Sequence, residues 1–284
     1  MRPLLLLLCV WACPALADVR LTDDLGQSIQ LEAPAQRVIS LIPHATEMLF
    51  QIQAQSKLVA TVHFADYPEA ARAIPRVGDY NAINTEAILR LEPDLILAYP
   101  SAPYRNQVDR LATLGIPVFF TDPQDFSAIA ETLRKLGQLT GHRTEAEQAT
   151  ADFESAIEAL AAEYSERQTL RVFYEVWHQP IYTLNGDSYI SAVLGLCGAD
   201  NVFASLPVLS PQISLEAVFA ADPDVIVSDA QDQWRQWSQL RAVAQDALIR
   251  ADSDTLHRPT PSLLIGAATL CSDLDDIRAA RKES

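Results

Sequence analysis

The chain has 284 residues, 49% of them hydrophobic and 20% charged, with a formal net charge of −16 at pH 7. That length suffices for one large core or two moderate ones. The acidity argues against a nucleic-acid binder, which needs a basic footprint, and leaves room for docking on a positively charged partner.

The chain opens with Met1-Arg2-Pro3, an apolar run from Leu4 to Ala12, then Pro14 and Ala15-Leu16-Ala17 before Asp18. A cationic start, an apolar stretch too short for a stable anchor and a small-x-small site predict a signal peptide over residues 1–17. A second reading, lipidation at Cys13, finds a poor context in Val10-Trp11-Ala12. No later stretch is long and apolar enough to cross a bilayer. Cys9 and Cys13 leave with the signal, so Cys197 and Cys271 remain. One pair in an exported chain most simply forms one disulfide, worth about 4 kcal/mol in the chain-entropy model. The alternative is a metal-binding or nucleophilic thiol, which the apolar, helical surroundings of both cysteines disfavour.

Residues 18–34 read as a lead-in, with Asp23-Asp24-Leu25-Gly26 turning between two extended pieces. Strands are predicted at Arg37–Leu41, Lys57–Val62, Asp94–Tyr99 and Pro117–Thr121, and helices at Ala45–Ile52, Tyr104–Leu114 and Phe126–Leu139. From Thr144 to about Gln168 the chain is rich in Ala, Glu and Gln and lacks Gly and Pro, which predicts a long helix spanning roughly 35 Å. A second α/β set follows, with strands at Leu170–Val176, Ile181–Leu184 and Asp224–Ser228, a helix at Ser188–Leu196, and a closing helix from Ser262 to about Arg281. The pattern predicts an α/β fold of two Rossmann-like lobes, each with a parallel sheet, joined by a long rigid backbone helix with a ligand cleft between them. The corresponding divisions are a lobe over 18–142, a connecting helix over 143–168 and a second lobe over 169–284.

One phrase is written twice. Glu86-Ala-Ile-Leu-Arg-Leu-Glu-Pro-Asp-Leu-Ile-Leu97 returns without a gap as Glu216-Ala-Val-Phe-Ala-Ala-Asp-Pro-Asp-Val-Ile-Val227. Each copy is a helix stopped at acid-Pro-Asp and followed by a strand. The separation is too long for a solenoid, so it implies two similar lobes. Glu86 and Glu216 admit two readings. An acid in a first helical turn is favoured by the helix dipole and free N–H groups. Their matched positions also suit twin anionic knobs that pair with arginines of a partner.

Signatures of catalysis are missing: there is no phosphate loop, no Gly-x-Ser-x-Gly elbow and no His-Glu-x-x-His. The five histidines (His44, His63, His142, His178 and His257) are scattered, and neither Ser40 nor Ser188 has an adjacent base. No metal site or cofactor is expected. An exported metal-dependent or hydrolytic enzyme using His178, His257 or Asp254 is the remote alternative to a binding protein. Aromatic residues gather where strands or extended pieces end: Phe64, Tyr80, Tyr99 and Tyr182. Ligands of open α/β sheets bind beyond the carboxyl ends of the strands, and flat aromatic faces there suit a large, partly apolar ligand.

The succession Arg37-Val-Ile-Ser-Leu-Ile-Pro-His-Ala-Thr-Glu47, Asp66-Tyr67-Pro68, Val77-Gly78-Asp79-Tyr80, Glu92-Pro93-Asp94-Leu95-Ile96 and Leu114-Gly115-Ile116-Pro117 resembles the periplasmic substrate-binding proteins built around a long backbone helix. These serve ABC importers for cobalamin, ferric siderophores and haem. The likeness covers nearly all of the chain from Arg37 to about Ile277, both cysteines included, and is strongest to vitamin B12 receptors. It implies a non-enzymatic, monomeric periplasmic receptor that binds cobalamin or a related corrinoid and delivers it to the permease subunits of an importer. Ferric siderophore or haem is the alternative cargo. Phe64, Tyr80, Tyr99 and Tyr182 would line the cleft, with Asp254 and Arg258 at the rim of the second lobe. Glu86 and Glu216 would form the salt bridges to the permease, and Cys197 would pair with Cys271. Tyr80 and Tyr99 stand where the best-known B12 receptor has tryptophans, Ser210 takes the place of a third, and the lead-in is longer, as in siderophore-type members.

Overall fold

The computed structural model describes residues 18–283, with the backbone alone at Asp254 and Glu283; the predicted signal peptide lies outside the described residues. Strands β1 (Val19–Thr22) and β2 (Ser28–Leu31) form an antiparallel hairpin. Its turn is closed by Asp23, whose Oδ1 accepts hydrogen bonds from the backbone of Leu25 and Gln27 at 3.0 and 2.7 Å.

Strands β3 (Val38–Ser40), β4 (Leu58–Ala60), β5 (Leu95–Ala98) and β6 (Val118–Phe120) make a parallel sheet in the order β4-β3-β5-β6. Strands β7 (Leu170–Tyr174), β8 (Ala199–Asn201), β9 (Val225–Val227) and β10 (Leu248–Ile249) make a second, in the order β10-β9-β7-β8. Counted from the first strand of each sheet, both run 2-1-3-4. The two lobes therefore share one winding, with the switch point between β3 and β5 in the first and between β7 and β9 in the second. Strands β5 and β9 are buried along their whole length, as central strands covered on both faces must be.

The repeated phrase has a matching job in each lobe. Asp94 accepts the backbone N–H of Arg37 at 2.8 Å, and Asp224 accepts that of Arg171 at 2.9 Å, so each Asp ties the start of a central strand to the strand beside it. The arginine side chains return the contact. Arg37 donates to the carbonyls of Leu91 and Glu92, and Arg171 to those of Ala221 and Asp222. These carbonyls end the repeat helices and have no intrahelical partner. Glu92 and Asp222 both turn left-handed there, at φ 45° and 40°. The acid-Pro-Asp stop is thus one local solution used twice.

The connecting helix runs Arg143–Tyr164, ending before the predicted residue 168. A seam of buried or half-buried side chains runs through Ala146, Thr150, Phe153, Ile157, Leu160 and Tyr164 in alternating four- and three-residue steps, widened by Ala149 and Ala156. The early part packs antiparallel on helix Phe126–Thr140, where Phe126 meets Phe153 edge to face at 6.1 Å. Gly137 makes the close crossing possible, since a Cβ there would lie 2.3 Å from that of Ala146. Beyond Tyr164 the chain is held from outside: the buried Arg278 of the closing helix Leu263–Glu283 donates to the carbonyl of Gln168, and also to those of Cys197 and Gly198 at the end of helix Tyr189–Leu196. Helix propensity in residues 165–168 gives way to this clamp.

The core facing the junction is continuous across both lobes, from Val38, Leu49 and Leu136 through Phe153 and Tyr164 to Val172, Leu194 and Leu270. Separate apolar clusters cover the outer face of each sheet. Cys197 and Cys271 form a disulfide joining helix Tyr189–Leu196 to the closing helix. The predicted strand at Ile181–Leu184 is absent; Tyr182 makes single antiparallel bridges to Trp177 and Gln212 instead. Among the described residues no helix is long and apolar enough to cross a membrane.

Candidate functional site

The carboxyl ends of β3, β4 and β5 open on a cavity of about 300 Å³ lined by Leu41, Pro43, His44, His63, Phe64, Tyr80, Tyr99 and Tyr104 among others. It sits at the switch point of the first lobe, where the chain diverges to opposite sides of the sheet. A second chamber of about 480 Å³ adjoins it through Phe64 and is lined from both lobes, by Asp66, Tyr67 and Arg72 of the first and Thr255, Arg258 and Ser262 of the second. Larger grooves of 960 and 660 Å³ lie at the amino ends of the second lobe's strands and between the hairpin and helix Phe126–Thr140. In a parallel sheet those are not the positions where ligands bind, so the smaller cleft is the candidate site.

Phe64 is the most unusual residue in the cleft. Its side chain is 74% exposed and its backbone is left-handed at φ 68°, a conformation costly for a bulky residue. The backbone holds it there through His63 N–H to Gly78 O at 2.9 Å and Ala65 N–H to Val62 O at 3.3 Å. Tyr80 is also exposed, at 64%. Strain together with two large unburied rings at the mouth of an apolar cavity is the pattern of a surface kept open for a ligand.

The deeper wall is polar and partly satisfied. Tyr104 donates to the Leu41 carbonyl at 2.7 Å, which fixes its ring. The Tyr99 phenol is shifted up by burial and by neighbouring Asp122, to which it hydrogen-bonds, and burial raises the Asp122 carboxyl in turn. His44 is only 8% exposed, and its Nε2 finds no hydrogen-bond partner. Burial lowers its pKa to about 4, against a small opposing pull from Asp24, so the ring is neutral at pH 7.

The lobes meet beside the cleft in a buried polar contact. Glu47, on helix Pro43–Gln51, accepts a hydrogen bond from Thr260 at 2.6 Å and lies 3.9 Å from Arg258. Burial raises its pKa, while hydrogen bonds from Ser262 and Thr260 and the charge of Arg258 oppose the shift. Arg258 also stands 5.9 Å over the Tyr67 ring, a contact between the two lobes.

Of the residues singled out in the sequence, Phe64, Tyr80 and Tyr99 come together in one cavity, and Phe64 and Arg258 share the second. Tyr182 is half-buried in the second lobe and lines neither; its bridge partner Trp177 is the ring that faces solvent, 63% exposed. The backbone of Asp254 lies in helix Ser253–Leu256, and its side chain is outside the described residues. His44, Tyr67 and Arg72 were missed; the one sequence sign was Asp66-Tyr67-Pro68, which marks the exit from β4. Among the described residues no group of His, Cys, Asp and Glu is placed to hold a metal ion.

Glu86 and Glu216 occupy equivalent, exposed places. Each is the second residue of its helix, Thr85–Arg90 or Leu215–Ala221. Asn84 and Ser214 cap these helices by accepting the N–H of Ala87 and Ala217. Glu86 lies 3.6 Å from Arg90, both widely exposed, a weak surface pair. The Glu216 carboxyl is held below its usual range by its own backbone N–H and by Ser214. With capping done by Asn84 and Ser214, neither carboxylate is needed to start its helix.

Two like-wound α/β lobes, a shared core at their junction and an aromatic cleft beside it define a two-lobed ligand-binding architecture. Residues 38–255 match the periplasmic binding protein family, and the chain belongs to it. It is 38% identical over 255 residues to a vitamin B12-binding protein of Yersinia pestis, covering 88% of this chain and 90% of the relative. The solved periplasmic vitamin B12-binding protein BtuF of Vibrio cholerae superposes with a TM-score of 0.78 at 34% identity, over 88% of this chain and 99% of that one. The periplasmic haem-binding protein RhuT of Roseiflexus shares the fold, with a TM-score of 0.76 at 21% identity over 86% and 99% of the two chains.

Proposed function

We propose that the protein is the substrate-binding component of an ABC importer, which captures cobalamin or a related corrinoid in the periplasm and hands it to the membrane permease. The observation that carries this reading is Phe64, strained and exposed at the mouth of a cavity it shares with Tyr80 and Tyr99. A broad, flat and partly apolar ligand is what such rings accommodate. Vitamin B12-binding relatives support the corrinoid as cargo. Arg258 would complete the cleft from the second lobe, with Asp254 at its rim; Tyr182, expected there, lies outside both chambers. In this reading the mature chain is a monomer beginning near Asp18, with lobes 18–142 and 169–284 on either side of the connecting helix. Glu86 and Glu216, one per lobe and both exposed, would pair with arginines of the two permease subunits. A ferric siderophore or haem is the second reading, favoured by phenols rather than indoles at Tyr80 and Tyr99.

Calorimetry and the visible spectrum of the purified protein test the cargo. Tight binding of cyanocobalamin is expected, weakened at least tenfold in Phe64→Ala. No heat with cyanocobalamin beside strong heat with hemin or a ferric siderophore moves the assignment to the second reading.

A further inference from the structure

The second chamber of the cleft differs in chemistry from the first. Around the 300 Å³ cavity the lining is mostly aromatic and aliphatic, with His63 and the neutral His44 as its only basic groups among the described residues. The 480 Å³ chamber is lined by two arginines, Arg72 from the first lobe and Arg258 from the second, together with Tyr67, Thr255 and Ser262. Among the described residues its one acid is Asp66, bound to Arg76 at 2.8 Å. In a chain of net charge −16 a cationic lining is the opposite of the general field.

The two arginines are not alike. Arg258 is already engaged, 3.9 Å from Glu47 and over the Tyr67 ring. Arg72 lies on the 3-10 turn Glu69–Ala73, exposed, and among the described residues it makes no hydrogen bond or ion pair. A guanidinium with no hydrogen-bond or ion-pair partner among the described residues, at the wall of a cleft, has its donors open to an oxyanion. The chambers meet at Phe64, so one molecule can occupy both.

We propose that the Arg72 chamber is an anion subsite, which takes a phosphate or carboxylate arm of the ligand whose flat body lies on Phe64, Tyr80 and Tyr99. This rests on the cleft being the ligand site. The ligand is thereby specified as amphipathic: a broad apolar face with an anionic group on one edge. Arg72 sets specificity for that arm, and Arg258 closes the chamber from the opposite lobe.

The test compares ligands with and without the anionic arm, and the Arg72 variants separate the arm's charge from the rest of the nucleotide. Cyanocobalamin carries a phosphodiester in its nucleotide loop, and dicyanocobinamide lacks it. Calorimetry on the wild-type protein and on Arg72→Ala and Arg72→Lys should show cyanocobalamin weakened about tenfold by the alanine, less by the lysine, with cobinamide unchanged. Added salt should erode the difference. Equal weakening of both corrinoids, or no change in either, overturns the subsite while leaving the corrinoid reading in place. If wild-type protein binds neither corrinoid, that reading falls, and hemin against its dimethyl ester becomes the pair. Loss of preference for the free acid in Arg72→Ala then supports the subsite. An unchanged preference, or binding of none of the four compounds, overturns it.

Discussion

Glu47 and Thr260 stand 213 residues apart in the chain and 2.6 Å apart in the fold, a hydrogen bond between lobes with both side chains buried. Gln51, one turn along the same helix, reaches Ser262 at 3.2 Å. These contacts sit at the floor of the cleft, next to the chamber lined by Arg258 and Ser262. Together with a core that runs unbroken through the junction, they oppose free rotation of one lobe against the other. A carboxylate is a demanding partner to bury, so the pairing has to be satisfied.

Thr260→Val keeps the shape and removes the donor. We expect a loss of about 1–3 kcal/mol in urea denaturation, the penalty for a buried acceptor left short of a partner. A double variant with Glu47→Gln should recover part of it, because the uncharged amide is cheaper to bury.

The buried His44 makes stability depend on pH. Its unfolded imidazole takes a proton near 6.5, but the folded one resists protonation until about 4. A depressed folded value means the contribution is fully present above 6.5 and fades as pH falls through the window to about 4. The loss should approach roughly 3 kcal/mol. Denaturation curves at pH 7 and pH 4.5 should therefore converge in His44→Asn relative to the native protein; an identical acid loss in both would reject the assignment.

Glu86 and Glu216 are exposed and are not their helices' caps, so Glu86→Ala with Glu216→Ala should alter unfolding by no more than about 0.5 kcal/mol. Importer-dependent uptake should be abolished while soluble ligand affinity stays intact. Lost affinity would place these residues in ligand binding and remove them from docking.

Gly137→Ala sets two effects against each other. Alanine favours a helix over glycine by about 1 kcal/mol. The added Cβ, however, would lie 2.3 Å from Ala146 Cβ and 2.9 Å from the His142 carbonyl. Neither neighbour is the far end of a flexible side chain, so the clash should win, with a net loss of about 1–3 kcal/mol by denaturation.

The chain's local patterns determined a good deal. Alternating apolar strands and helices specified parallel α/β lobes. The twice-written phrase specified two of them, because its capping residues and acid-Pro-Asp stop act within a few residues and fold alike wherever they occur. Two surviving cysteines were enough to expect the bridge that joins them. The site divides differently. Phe64, Tyr80 and Tyr99 could be expected to share a cavity because they follow extended segments, and the ends of parallel strands are where clefts form; they do line one. Tertiary structure alone decided that Phe64 turns left-handed, that Arg278 holds the chain just beyond Tyr164, and that Arg72 and Arg258 face one chamber. It also buried His44 and set Glu47 against Thr260. Each of these depends on groups far apart in sequence, and their energies come from desolvation and pairing, which exist only once the sheets have wound and the lobes have closed on a common core.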